Sequence, residues 1–118
     1  MSSDGWVELC ALDDMAVGEG RYVVHDGRAV AVLRVTANRV RVMDDACPHA
    51  GGSLSAGQID ADGGCVFCPW HGWPFDLETG RCPDNEAFGV QTYPVRIHQG
   101  RVLAKLSDDG GPATDRLL

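Results

Sequence analysis

No run of apolar residues in this 118-residue sequence is long enough to span a bilayer, and the opening Met1-Ser2-Ser3-Asp4-Gly5 lacks the basic start and hydrophobic stretch of a secretory signal. The expectation is a cytoplasmic protein with no membrane partner. Positive charge is also scarce: 10 Lys and Arg stand against 17 Asp and Glu, a formal net charge of −7. That balance repels a phosphate backbone, which argues against nucleic acid as a partner. The acidity either suits a basic patch on a partner protein or simply keeps the chain in solution. An even cysteine count is missing too. Cys10, Cys47, Cys65, Cys68 and Cys82 make an odd number at irregular spacing, against a disulfide framework and in favour of metal ligation in a reducing compartment. The length allows one domain with a modest core and is expected to leave no residues for a second, catalytic domain.

What is present is a β pattern. Short runs rich in Val, Ile, Leu and Tyr recur between Gly, Asp and Asn turns, as in an all-β sandwich or barrel. Strands are expected at Trp6–Cys10, Arg21–His25, Ala29–Val35, Val40–Met43, Cys65–Phe67, Trp73–Phe75, Tyr93–His98 and Arg101–Leu106. Hairpin turns fall at His25-Asp26-Gly27-Arg28, Thr36-Ala37-Asn38-Arg39 and His98-Gln99-Gly100-Arg101, the first being the strongest because Asp and Gly both accept positive φ. Glu8 to Met15 has room for one helical turn. Between Met43 and Pro94 the alternation breaks and Gly, Pro, Cys and Trp crowd together, a loop-rich insert on a β scaffold. The expected domain is 1–106, and the tail 107–118, with Asp108-Asp109-Gly110-Gly111-Pro112, has the composition of a flexible end.

Two loops in the insert carry the chemistry. Cys47-Pro48-His49 comes first, and Cys68-Pro69-Trp70-His71-Gly72 follows after 18 residues. Each loop supplies one thiolate and one imidazole. Pro48 and Pro69 restrict φ directly after each Cys, which limits the entropy lost when the ligands converge. Gly51, Gly52 and Gly72 let the backbone pass close to a bulky inorganic core. Two Cys and two His serve an iron–sulfur cluster with mixed ligation or a structural zinc ion. Zinc fingers group like ligands around a helix, whereas here each loop mixes one of each kind within a β pattern.

The stretch Cys47-Pro48-His49-Ala50-Gly51-Gly52 with Cys68-Pro69-Trp70-His71-Gly72-Trp73 resembles the Rieske [2Fe–2S] family, as do Phe75-Asp76-Leu77-Glu78-Thr79-Gly80 and Tyr93-Pro94-Val95-Arg96. The resemblance implies a β-sandwich base with a cluster-binding subdomain at about 45–84. It implies that Cys47 and Cys68 hold one iron of a [2Fe–2S] cluster and His49 and His71 the other. High-potential relatives carry an extra Cys in each loop, where Gly52 and Trp70 stand here, and a Ser and a Tyr where Trp73 and Phe75 stand. Without that disulfide and those hydroxyls the expected potential is at the low end of the range of such centres, roughly −150 mV.

At that potential the family resemblance implies a low-potential ferredoxin passing single electrons from an NAD(P)H-dependent flavin reductase to a terminal oxygenase. The segment from Thr79 to Val90 also resembles the small subunit of an NAD(P)H-dependent nitrite reductase, whose large subunit would then be the partner. A structural metal-binding interaction module is the reading outside redox chemistry. Among the remaining residues, Cys10 and Cys65 read as buried strand residues, and Cys82 falls on a third loop that covers the cluster in this family. His25 and His98 occupy hairpin ends facing solvent. Trp70, Trp73 and Phe75 either shield the cluster, form an apolar docking rim, or pack in the core.

Overall fold

A computed structural model of the chain describes residues 5–45, 53–69, 72–83 and 89–106. The strands are β1 (Trp6–Ala11), β2 (Gly20–His25), β3 (Arg28–Thr36), β4 (Arg39–Asp44), β5 (Gln58–Asp60), β6 (Cys65–Phe67), β7 (Pro74–Asp76), β8 (Thr92–Tyr93), β9 (Val95–His98) and β10 (Arg101–Lys105), with short 3-10 turns at Leu12–Asp14 and Leu54–Ala56. All pair antiparallel in three sheets ordered β1-β10-β9, β2-β3-β4-β8 and β5-β6-β7. The fold is all-β, as expected.

β3 explains how the sheets stack. Its sequence, Ala29-Val30-Ala31-Val32-Leu33, is apolar without alternation, the pattern of a strand buried on both faces. Successive side chains point to opposite faces. Val30 and Val32 join Val40, Val42 and Tyr93 of their own sheet, and Cys10, Val102 and Ala104 of the β1-β10-β9 sheet, in one apolar cluster. Ala31, Leu33 and Val35 join Met43 and the residues Leu54, Val66, Phe75 and Leu77 in a second. The four-stranded sheet is thus the middle layer. Burial of each large side chain such as Leu33 or Phe75 contributes on the order of 1.5–3 kcal/mol.

Two expectations are corrected. Tyr93–His98 is not one strand: β8 pairs with β4 and β9 with β10, and the break falls at Pro94, which has no N–H to continue a ladder. β5 was not expected, because Gln58-Ile59-Asp60 holds one apolar residue; it forms by pairing with β6. The helical turn between Glu8 and Met15 is the 3-10 turn at Leu12–Asp14. The tail 107–118 lies outside the described residues.

Candidate metal centre

The second ligand loop joins β6 to β7. Cys68 accepts the Gly72 N–H at its carbonyl (2.8 Å) and donates its own N–H to the Trp73 carbonyl (2.9 Å), which closes the loop on itself. Gly72 sits at φ +74°, a conformation costly for any side chain with a Cβ. The Cys68 side of this loop is buried, at 1% exposure, while Pro69 is exposed.

The first ligand loop, 46–52, is closed at its base. Asp45 accepts the Leu54 N–H at its carbonyl (2.8 Å) and the Ser55 N–H at its carboxylate (2.8 Å). The Ser53 hydroxyl lies 2.9 and 2.7 Å from the two carboxylate oxygens. A third span, 84–88, is closed in turn by the bridge between Arg81 and Gly89 and by the Val90 N–H donating to the Gly80 carbonyl (2.8 Å). Here Gly80, at φ +76°, lies so close to the Val90 carbonyl that an added Cβ would stand 2.1 Å from it.

These three bases meet. Leu54 from the first, Cys68 from the second and Cys82 from the third belong to a single apolar cluster with Met43, Phe75 and Leu77, and Trp73 and Val90 pack against it. The motif Phe75-Asp76-Leu77-Glu78-Thr79-Gly80 holds the arrangement in place. Asp76 Oδ1 accepts the N–H groups of Glu78 (2.8 Å) and Thr79 (3.0 Å), building the turn. Leu77 fills the core, and the Glu78 carboxylate accepts from both Arg39 and Arg41 on β4. Those two guanidinium groups, by hydrogen bond first, hold the Glu78 carboxyl below its ordinary value.

Of the four expected ligands the structure places Cys68; Cys47, His49 and His71 lie outside the described residues, as does Trp70. Among the described residues no three His, Cys, Asp or Glu side chains gather in metal-binding range, so Cys10, Cys65 and Cys82 form no separate site there. Cys10 is buried, as expected. Cys65 is half-buried and not fully so; burial, with Asp60 and Asp76 adding, pushes its thiol up, away from the thiolate that binds metal. Cys82 is wholly buried immediately ahead of 84–88. Phe75 is core, and Trp73 is half-buried against it. His98 is exposed as expected, whereas His25 is half-buried on the face of β2 that joins the β1-β10-β9 side, with Asp26 at 3.6 Å.

The Cys68 thiol and its surroundings fit a [2Fe–2S] cluster. Cys68 sits in an apolar shell, the environment that limits solvent access to such a centre. Sequence reasoning missed the closing residues Asp45, Ser53, Ser55, Glu78, Arg39 and Arg41. The available signal was polar residues flanking the ligand loop: an Asp two places before Cys47 and two Ser after the Gly pair.

Comparison with known proteins agrees with this geometry. The chain is 33% identical over 98 residues to the ferredoxin component of the alkene monooxygenase system of Xanthobacter autotrophicus, covering 83% of this chain and 79% of that one. The ferredoxin of carbazole 1,9a-dioxygenase from Nocardioides aromaticivorans superposes with a TM-score of 0.79 at 26% identity, over 86% of this chain and 98% of that one. A protein named as an NADH-dependent nitrite reductase small subunit from Mycobacterium tuberculosis gives 0.77 at 31% identity, over 84% and 92%. The chain also matches cholesterol 7-desaturase of Hemicentrotus pulcherrimus at 35% identity but spans 17% of its length. Among the described residues no helix is long and apolar enough to cross a membrane. The family model for the Rieske-like [2Fe-2S] domain matches residues 5–105, a range that takes in all three sheets and every loop base, and so the chain belongs to that family and its cofactor is a [2Fe–2S] cluster.

Proposed function

We propose that this protein is a low-potential one-electron carrier of the ferredoxin kind, working in the cytoplasm between an NAD(P)H-dependent flavin reductase and a terminal oxygenase. Cys47 and Cys68 hold one iron and His49 and His71 the other, within a cluster-binding unit at about 45–84. The observation that carries the reading is the convergence of the bases of both ligand loops, Leu54 beside the first and Cys68 in the second, on one apolar cluster. When bound, the cluster supplies one-electron redox chemistry. The chain's own residues hold it, shield it and set its electrostatic surroundings.

Two neutral imidazoles in place of two thiolates leave the cluster less negative, so adding an electron costs less than for an all-Cys cluster. Phe75, wholly buried, has no hydroxyl to offer a cluster sulfur or a Cys ligand, and Gly52 and Trp70 stand where high-potential relatives carry the two cysteines of their disulfide. These features favour a potential of roughly −150 mV. A second reading, the small subunit of a nitrite reductase, is favoured by the likeness at 31% identity to the Mycobacterium tuberculosis protein.

A redox titration of the anaerobically purified chain by electron paramagnetic resonance tests the core of the reading. A mixed Cys/His signal titrating near the low end of the range supports it; bound zinc with no such signal overturns it. Cys68→Ser is expected to abolish stable cluster binding. Reduction by a flavin reductase, followed by turnover of an oxygenase, favours the ferredoxin role, whereas stable co-purification with a nitrite reductase large subunit favours the second reading. With a net charge of −7, electron transfer to a basic partner should slow as salt rises.

A further inference from the structure

Asp45 follows the last residue of β4 and stands two places before Cys47. Among the described residues it is the only charged side chain that is fully buried, at 5% exposure. A carboxylate taken out of water is costly unless hydrogen bonds replace the lost hydration. Among the described residues its side-chain partners come from the far end of the first ligand loop, Ser53 and Ser55.

The hydroxyl protons can be followed. Ser53 has one, and its oxygen lies 2.7 and 2.9 Å from the Asp45 oxygens and 2.8 Å from the Ser55 hydroxyl. An ionised carboxylate only accepts, so Ser53 donates to Asp45 and the Ser55 hydroxyl donates to Ser53. The donors therefore line up in series toward one carboxylate, joined by the Ser55 N–H. Loop closure does not require this, because the Leu54 N–H already bonds the Asp45 carbonyl. The buried charge adds something else.

Its neighbour makes the contrast. Asp44 points to the opposite face of the middle sheet and accepts the Tyr93 hydroxyl at 2.6 Å, and that hydroxyl in turn accepts from Arg28 at 2.8 Å. A guanidinium thus stands near the Asp44 charge, while among the described residues the side-chain partners of Asp45 are neutral donors.

We propose that Asp45 is a positioning residue for the loop carrying Cys47 and His49, and that its buried charge holds the cluster's reduction potential down. This rests on the assignment of those two residues as ligands. Charge-assisted hydrogen bonds fix the loop base more firmly than neutral ones. A negative charge in a poorly polarisable surrounding, two residues from a ligand, opposes the arrival of an electron.

The test uses the full chain, purified anaerobically, as wild type and as the Asp45→Asn, Asp45→Ala, Ser53→Ala and Asp44→Asn variants. Iron per chain, the rate of iron release to a chelator and the midpoint of the electron paramagnetic resonance titration are measured for each. Asp45→Asn keeps the shape and an acceptor oxygen, so the cluster should stay and the midpoint should move positive. Asp45→Ala should release iron roughly tenfold faster. Ser53→Ala should speed release while moving the midpoint less than Asp45→Asn. Asp44→Asn, an equal change of charge on the other face, should move the midpoint less than Asp45→Asn does. An unchanged or more negative midpoint in Asp45→Asn, or an equal shift in Asp44→Asn, overturns the inference; should Asp45→Ala fail to fold, the other three variants still decide it. A wild type without the mixed Cys/His signal instead sinks the ligand assignment.

Discussion

The middle sheet carries a different kind of cover on each face. On one side β1, β10 and β9, strands of four to six residues, lie over Val30, Val32, Val40 and Val42, with an ion pair between the exposed Glu8 and Arg101. On the other side β5, β6 and β7 have three residues each. Strands that short form few ladder bonds and are not stable alone. That side depends on Phe75 and Leu77 in the core, and on polar closures at Asp45, Asp76 and Glu78. Apolar burial is enough to make a cover; bringing the bases of three loops together takes specific closures as well.

Cutting the core on the loop-bearing side should have the largest effect. Phe75→Ala should destabilise by about 3–5 kcal/mol. Iron should be lost at lower urea than in the wild type while the far-ultraviolet β signature of the remaining sheets persists. Simultaneous loss of both signals would show that the two covers do not differ in their dependence. Val32→Ala, on the opposite face, should cost about 2 kcal/mol in urea unfolding yet leave the cluster's absorption and midpoint as they are. A shifted midpoint there would erase the contrast.

Tyr93 sits at the joint between the covers. Tyr93→Phe removes a donor to Asp44 and an acceptor for Arg28 and should cost about 1–2 kcal/mol. Burial first, and then the hydrogen bond to Asp44, push the Tyr93 hydroxyl well above its ordinary value of 10.0. The folded chain therefore holds this proton more tightly than the unfolded one. Its contribution is complete below pH 10.0 and is lost as pH climbs toward the higher folded value, so the wild type should lose stability there more steeply than Tyr93→Phe.

The smallest effect belongs to Glu78, about half exposed beside Arg39 and Arg41. Solvent screens such pairs, and Glu78→Gln should cost less than about 1 kcal/mol. Because its folded pKa is lowered, the contribution is present above the ordinary value of 4.5 and fades as pH falls through the folded value. Thermal midpoints of the two proteins should converge in acid. A gap that persists at low pH would mean that Glu78 acts through packing.

Much of this was legible in the residues. Each of the eight expected strands has a counterpart, Cys65–Phe67 without any shift and Trp73–Phe75 displaced by one residue to Pro74–Asp76. Alternation and turn chemistry act over a few residues, so they can be read locally, as the positive φ of Asp26 and Gly27 shows. The split at Pro94 was misread because both halves are apolar and extended, and only their different partners separate them. β5 was missed because its pairing with β6, not its composition, makes it a strand.

By itself the sequence determined the β character, the acidity, the odd cysteines and the two Cys/His motifs that carry the resemblance to the Rieske family. Tertiary structure alone decided that β3 is buried on both faces, that Asp44 and Asp45 face opposite ways into different networks, and that Leu54, Cys68 and Cys82 share one core. The reason is range. Backbone preference and ligand type belong to single residues and their neighbours, whereas burial and hydrogen-bond partners depend on register between distant strands, such as Trp6 opposite Lys105 and Val42 opposite Tyr93.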